Sequence, residues 1–298
     1  MSYGGFRGAR LSSPAFTEHF FQSGDGLDLY YRQFDARRSD AQKLTVLCLP
    51  GLTRNSRDFE SLAHDLAERC HVLTPDLRGR GRSAYDSNWE NYNPTRYVED
   101  AFRLLDQAGV QRCVVVGTSL GGLLAMVMGA LQPQRFAGLI INDIGPVLDS
   151  AGVTRIRSYA GKLPRVNSWE EAGAQAKLVH CAALPDLDDE DWLAFARRTY
   201  RQDDGVWRPD VDPNIARAFG DASAAAPDLW PIFGQLALPM LVIRGALSDL
   251  FSEQTLTRMR DMHPELRALT VANRGHTPTL DEPECRAAIG QFLQGLRV

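Results

Sequence analysis

The sequence predicts an α/β architecture: a mostly parallel sheet of eight strands, helices on both sides, and a helical cap inserted after the sixth strand. Three observations carry this expectation. Short β-rich runs alternate with segments of helical period, two alternating runs joined by Ser23-Gly24-Asp25-Gly26 lead the chain, and strand signals vanish between Pro146 and Pro231.

The lead-in reads as an antiparallel hairpin over Ala15 to Gln22 and Leu27 to Phe34. Leu44 to Leu49 is a continuous apolar run suited to a strand covered on both faces, and Pro50-Gly51 ends it. Phe59, Leu62, Ala63 and Leu66 then fall on one helical stripe, with Asn55 or Ser56 available as N-cap. His71 to Thr74 is a short strand. Asn93-Pro94 opens a second helix as N-cap and first helical residue, and Tyr97, Ala101, Leu104, Leu105 and Ala108 form its stripe. Cys113 to Gly117 is another buried strand, Leu120 to Leu131 a helix, and Leu139 to Asn142 a strand. After the gap, Met240 to Arg244 and Leu266 to Val271 complete the series, and a final helix carries Cys285, Ala288, Ile289, Phe292, Leu293 and Leu296 on one face. These readings divide the chain into a core of residues 1–145 and 232–298 and a helical lid of residues 146–231. Because both ends of the lid join sheet strands, it is expected above the strand C-terminal ends, where open sheets place ligands.

Composition narrows the function. A net charge of −4, with no basic run beyond Arg78, Arg80 and Arg82, argues against nucleic acid or an anionic membrane as partner. The longest apolar run, Gly121 to Leu131, is about half of the ~20 residues a spanning helix needs. Met1 to Phe16 holds no apolar stretch of signal-peptide length, and the five cysteines lack CxxC spacing. Buried reduced thiols and a cytoplasmic location are the corresponding expectations. The Arg-Gly-Arg-Gly-Arg-Ser string at 78–83 has neither a P-loop ending nor a dinucleotide turn and reads as a tight surface turn.

The chemistry concentrates at Val114-Val115-Val116-Gly117-Thr118-Ser119-Leu120-Gly121-Gly122. A serine at the tip of a sharp strand-to-helix turn needs small residues two positions before and after it, and Gly117 and Gly121 stand there. Such a serine requires a base, since its hydroxyl is barely ionised at neutral pH. His276 qualifies among the six histidines because it follows the last strand and precedes the last helix. An acid must orient that base. Asp249, in the loop after Met240 to Arg244, completes the order Ser, Asp, His and is the first choice; Asp143, directly after Leu139 to Asn142, is the alternative acid. The backbone N–H groups of Leu52 and Leu120 are the expected oxyanion donors. Arg54, Trp192 and Trp230 are candidate pocket residues, Arg54 for a substrate carboxylate and the lid tryptophans for apolar groups.

With these residues in place, the sequence resembles the α/β-hydrolase superfamily from about Phe16 to Leu296. The strings are Leu49-Pro50-Gly51-Leu52, Asp76 to Ser83, the turn at Ser119, Gly245 to Asp249, and Gly275-His276. They are similar to its capped esterase, lactonase and carbon-carbon hydrolase branch, although Pro50-Gly51 stands where several members carry His-Gly. The resemblance implies an α/β-hydrolase fold and a serine enzyme that cleaves small to medium apolar carboxylic esters through an acyl-enzyme, with no metal and no organic cofactor. An enol-lactone or diketone carbon-carbon hydrolase is the alternative, followed by a cofactor-free perhydrolase or a ligand receptor. The expected partner is a small-molecule substrate, with the chain a monomer or homodimer.

Overall fold

The computed structural model describes residues 16–38, 44–219 and 228–296. The expectations for the first fifteen residues and for residues 220–227 of the insertion lie outside them. In chain order the elements begin with β1 (Thr17–Gln22), β2 (Asp28–Phe34), β3 (Thr45–Leu49), α1 (Glu60–Leu66), β4 (His71–Pro75), α2 (Pro94–Gln107), β5 (Cys113–Thr118), α3 (Leu120–Leu131) and β6 (Phe136–Asn142). They continue with α4 (Ser150–Tyr159), α5 (Trp169–His180), α6 (Asp189–Thr199), β7 (Tyr200–Asp203), β8 (Val206–Pro209), α7 (Ile215–Phe219) and α8 (Trp230–Phe233). The chain closes with β9 (Met240–Gly245), α9 (Glu253–Met262), β10 (Arg267–Val271) and α10 (Pro283–Gln294).

Eight strands form one sheet in the order β1-β2-β4-β3-β5-β6-β9-β10. The β1–β2 and β2–β4 pairs are antiparallel, and every pair from β4 to β10 is parallel. The apolar runs explain this arrangement. Val46 to Leu49, Cys113 to Val116 and Leu139 to Ile141 are buried on both sheet faces, so alternate residues feed two separate cores. Leu47, Leu49, Val115, Leu139 and Ile141 join the larger core with α2 and α3; Val46, Cys48, Val114, Val116 and Ile140 join the other with α1 and α10. Asn93 caps α2 by accepting the Arg96 N–H, with Pro94 at the first helical position.

The stretch between β6 and β9 differs from its expected all-helical character. β7 and β8 form a short antiparallel hairpin within it. Four-residue strands at the surface bury too little apolar side chain to leave a clear alternating pattern, which is why no strand signal preceded them. The insertion has a small core of its own, in which Ala172, Ala176, Ala183, Leu184, Trp192, Phe195, Ala196 and Tyr200 pack together. Its polar ties run to the sheet's C-terminal loops: Asn55 Nδ2 donates to the Arg198 carbonyl, Gly152 N–H to the Asp249 carbonyl and Gly275 N–H to the Ala183 carbonyl. Among the described residues no helix is long and apolar enough to cross a membrane.

The loop at residues 78–83 is not the surface turn expected of it. Arg78 is 1% exposed and Arg80 0% exposed. Arg78 donates to Asp25, Asp86 and Asp100, while Arg80 donates to the carbonyls of Leu52 and Arg78 and to the Tyr97 hydroxyl. The Arg78 guanidinium tolerates such burial because its Nε, Nη1 and Nη2 are all matched at once, whereas Arg80 Nη2 is buried without a partner among the described residues; spacing along the chain does not reveal partners contributed from elsewhere. Removing Arg78 would leave three carboxylates facing one another. Arg78→Met is therefore expected to lower unfolding free energy by about 3–5 kcal/mol, measured by urea denaturation. A loss under about 1 kcal/mol would mean that the cluster is solvated rather than structural. Of the cysteines, Cys48, Cys70, Cys113 and Cys285 are buried free thiols, whereas Cys181, at the exposed end of α5, departs from the buried expectation.

Candidate active site

Ser119 sits at the junction of β5 and α3 with φ 54° and ψ −116°, a left-handed backbone unfavourable for a residue with a Cβ. The surrounding structure enforces it. A Cβ on Gly117 would lie 2.2 Å from the Gly121 carbonyl oxygen, and one on Gly121 would lie 2.0 Å from that of Leu49, so only glycines let helix and strand approach this closely. The Ser119 N–H donates to the Asn142 carbonyl at 2.9 Å, tying the turn to the end of β6.

Ser119 Oγ lies 2.8 Å from His276 Nε2. On the other side of the ring, His276 Nδ1 lies 2.8 Å from Asp143 Oδ2. This corrects the choice of acid. Asp249 instead forms a bidentate pair with Arg155 of α4, at 2.6 and 2.7 Å, and that hydrogen bonding holds its carboxyl below the ordinary range. Asp143 directly follows β6, is 0% exposed, and accepts further hydrogen bonds from the Gly245 N–H at 2.6 Å and the Ser248 hydroxyl at 2.6 Å. The loop after β9 thus reaches the site through Gly245 and Ser248, while its carboxylate turns outward to the insertion. Ser248 is a site residue the sequence reading missed. Asn142 is another: its Nδ2 donates to the Pro278 carbonyl at 2.9 Å and so fastens the histidine loop to β6.

Leu52 and Leu120, the expected oxyanion donors, both lie in the wall of a cavity at Ser119. Leu120 is the first residue of α3, so its N–H has no acceptor within the helix. Leu52 follows Gly51, whose missing Cβ would lie 3.7 Å from the Ser119 Cβ, and the Leu52 carbonyl is held by Arg80 Nε at 2.9 Å. The buried Arg80 thereby orients the peptide groups of this loop, a function with no signature in the local sequence.

Two cavities meet at Ser119. One, of about 270 Å³, is apolar, walled by Leu52, Leu120, Leu123, Ile144, Leu148, Val153, Ile156 and Leu250. The other, of about 100 Å³, is the more polar of the two: Arg54, Asp58, His180, Arg198, His276 and Asp281 share its wall with Phe59, Ile156, Leu184 and Phe195. Arg54 reaches this cavity but is committed to Asp58 at 2.5 and 2.7 Å and stacks on Phe195 with its Cζ 4.2 Å from the ring centre. Burial, with Arg54 and Arg155 nearby, pushes His180 down to about 3 and keeps it neutral. Trp192 and Trp230 do not line either cavity. Trp192 fills the insertion's own core against Phe195, where a small helical layer needs large side chains for its interior, and Trp230 packs on Phe233 beneath Arg258 in the larger core of the sheet. Among the described residues no group of three or more His, Cys, Asp and Glu side chains is placed to hold a metal ion.

Comparison with known proteins agrees with this architecture. Residues 46–287 match the model of the alpha/beta hydrolase family. A 3-hydroxybutyrate-oligomer hydrolase of Cupriavidus necator is 32% identical over 86% of this chain and 90% of its own length. A 2-(acetamidomethylene)succinate hydrolase of Mesorhizobium japonicum is 25% identical over 89% of this chain and 98% of its own. The crystal structure of an alpha/beta hydrolase from Novosphingobium aromaticivorans superposes with a TM-score of 0.89 at 41% identity, covering 95% of this chain and 99% of that one. A catalytic-type Ser–His–Asp relay at the C-terminal edge of this sheet, together with a family match over most of the sequence, places the chain in the alpha/beta hydrolase family.

Proposed function

We propose that the protein hydrolyses carboxylic esters through an acyl-enzyme on Ser119, with His276 as general base and acid and Asp143 as the group that orients it. The observation that carries this reading is the continuous Ser119–His276–Asp143 relay, 2.8 Å at each link. His276 Nε2 takes the Ser119 proton as Oγ attacks the carbonyl carbon, and Asp143 holds the ring in the tautomer with its proton on Nδ1. The developing oxyanion is met by the N–H groups of Leu52 and Leu120, already fixed by Arg80 and by the start of α3. His276 returns the proton to the departing alkoxide, and water then repeats the sequence to free the acid. Residues 146–231 act as a lid in this scheme: Ile156 belongs to both cavities at the serine, and His180 and Arg198 belong to the polar one.

The hydrolase and esterase names of the relatives support ester cleavage as the reaction type. The test is labelling with a fluorophosphonate followed by peptide mass mapping, beside turnover of aryl esters of increasing acyl length. A single adduct on Ser119 and turnover that rises with chain length up to the capacity of the apolar cavity are expected. Absence of an adduct, with esters still cleaved, would remove Ser119 from the reaction. An adduct without turnover of any ester would instead favour the receptor reading.

A further inference from the structure

The two cavities meeting at Ser119 are not equivalent with respect to His276. Ser119 and Leu52 line both, but the imidazole borders only the polar cavity and Leu120 only the apolar one. Because the base must deliver its proton to the departing oxygen, the alcohol part of an ester leaves on the imidazole side. The acyl part then occupies the apolar side, next to Leu120.

Charge at the polar cavity is unevenly matched. Asp58 is neutralised by the bidentate Arg54 pair, and Asp281 by Arg286 at 2.5 Å. His180 is held neutral by its burial and by nearby arginines, and His276 is engaged by Asp143. Arg198 is what remains. Among the described residues its guanidinium makes no hydrogen bond and no ion pair, its Nε is buried without a partner, and it acts on Asp281 only through space. A buried guanidinium donor without an acceptor is costly unless something supplies one. The Asn55 side chain, donating to the Arg198 carbonyl at 3.1 Å, fixes this residue relative to the loop that carries Leu52.

We infer that the favoured substrates are esters whose alcohol part ends in a carboxylate, with Arg198 as the residue that binds that carboxylate. This rests on the acyl-enzyme reading above and adds the substrate class and the residue that selects it. In the step itself Ser119 Oγ bonds to the acyl carbon, the bond from that carbon to the alcohol oxygen breaks, and His276 protonates that oxygen. A hydroxycarboxylate is released while its carboxylate still faces Arg198. Water then hydrolyses the apolar acyl-enzyme.

The test compares butanoyl esters of hydroxyacetate, 3-hydroxypropanoate and 4-hydroxybutanoate, each with its neutral amide counterpart, by pH-stat. For at least one length, wild-type kcat/KM is expected to favour the carboxylate by about 30-fold or more, the scale of a charge-assisted bidentate hydrogen bond. In Arg198→Met that ratio falls at least tenfold, and Arg198→Lys, which keeps the charge but not the fork, lies between. A wild-type ratio below about 3 at every length, or a ratio that survives Arg198→Met in a protein with normal melting, would overturn the inference. If Arg198→Met does not fold, the wild-type ratio and the lysine variant decide the matter. Loss of the fluorophosphonate adduct at Ser119, or failure to cleave either member of every pair, would reject the acyl-enzyme reading instead.

Discussion

Ser119→Ala is expected to lower ester turnover by about 10⁴-fold or more while the protein keeps its fold. The loss follows, on the acyl-enzyme reading, from removing the attacking atom, the Oγ 2.8 Å from His276 Nε2. What survives is catalysis by the oxyanion donors and by binding alone. Stability should change little, because alanine retains the Cβ and the left-handed φ of 54° stays as it was. The measurement is kcat on an aryl ester beside a thermal melt. Activity within tenfold of wild type would show that another nucleophile operates.

The second large effect separates the two aspartates. Asp143→Asn is expected to cost about 10⁴-fold in kcat, whereas Asp249→Asn should stay within about tenfold. Asp143 accepts three hydrogen bonds at once, from Gly245 N–H, the Ser248 hydroxyl and His276 Nδ1. An asparagine cannot reproduce this, because its amide NH₂ must point at one of those donors. Turned toward His276, it favours the tautomer with the proton on Nε2, which cannot accept from Ser119. Asp249→Asn breaks only the partly exposed pair with Arg155, a contact between the β9 loop and α4 whose type is worth about 0–1 kcal/mol. The kinetic comparison needs both variants at matched folding. If Asp249→Asn proved the more damaging, the acid would have to be reassigned.

The contest between these aspartates shows where reading along the chain stops. Both follow sheet strands and both fit the order required around Ser119 and His276, so neither spacing nor residue type separates them. What separates them is lateral. β6 and β9 are neighbours in the sheet, and the Asp143 N–H donates to the Ile243 carbonyl, which sets Asp143 between the two strand ends and beneath His276. Asp249 lies four residues beyond β9 and meets an arginine from a helix nearly a hundred positions earlier. The same limit applied to Arg78 and Arg80, whose carboxylate, carbonyl and hydroxyl partners come from separate segments, and to the lid tryptophans, which could not be divided between pocket and interior by composition.

By itself the sequence determined the order of the eight sheet strands and the helices between them, the glycine-flanked turn that strains Ser119, and the position of His276 after the last strand, because each depends on neighbours within a few residues or on the periodicity of one element. Only the tertiary structure showed that Asp143 is the carboxylate bonded to His276, that Arg80 anchors the Leu52 loop, and that Arg198, in the wall of a cavity at Ser119, has a guanidinium without a hydrogen-bond partner among the described residues. Those are properties of side chains brought together across the sheet, where burial withdraws water and leaves each charge dependent on whichever partner the fold supplies.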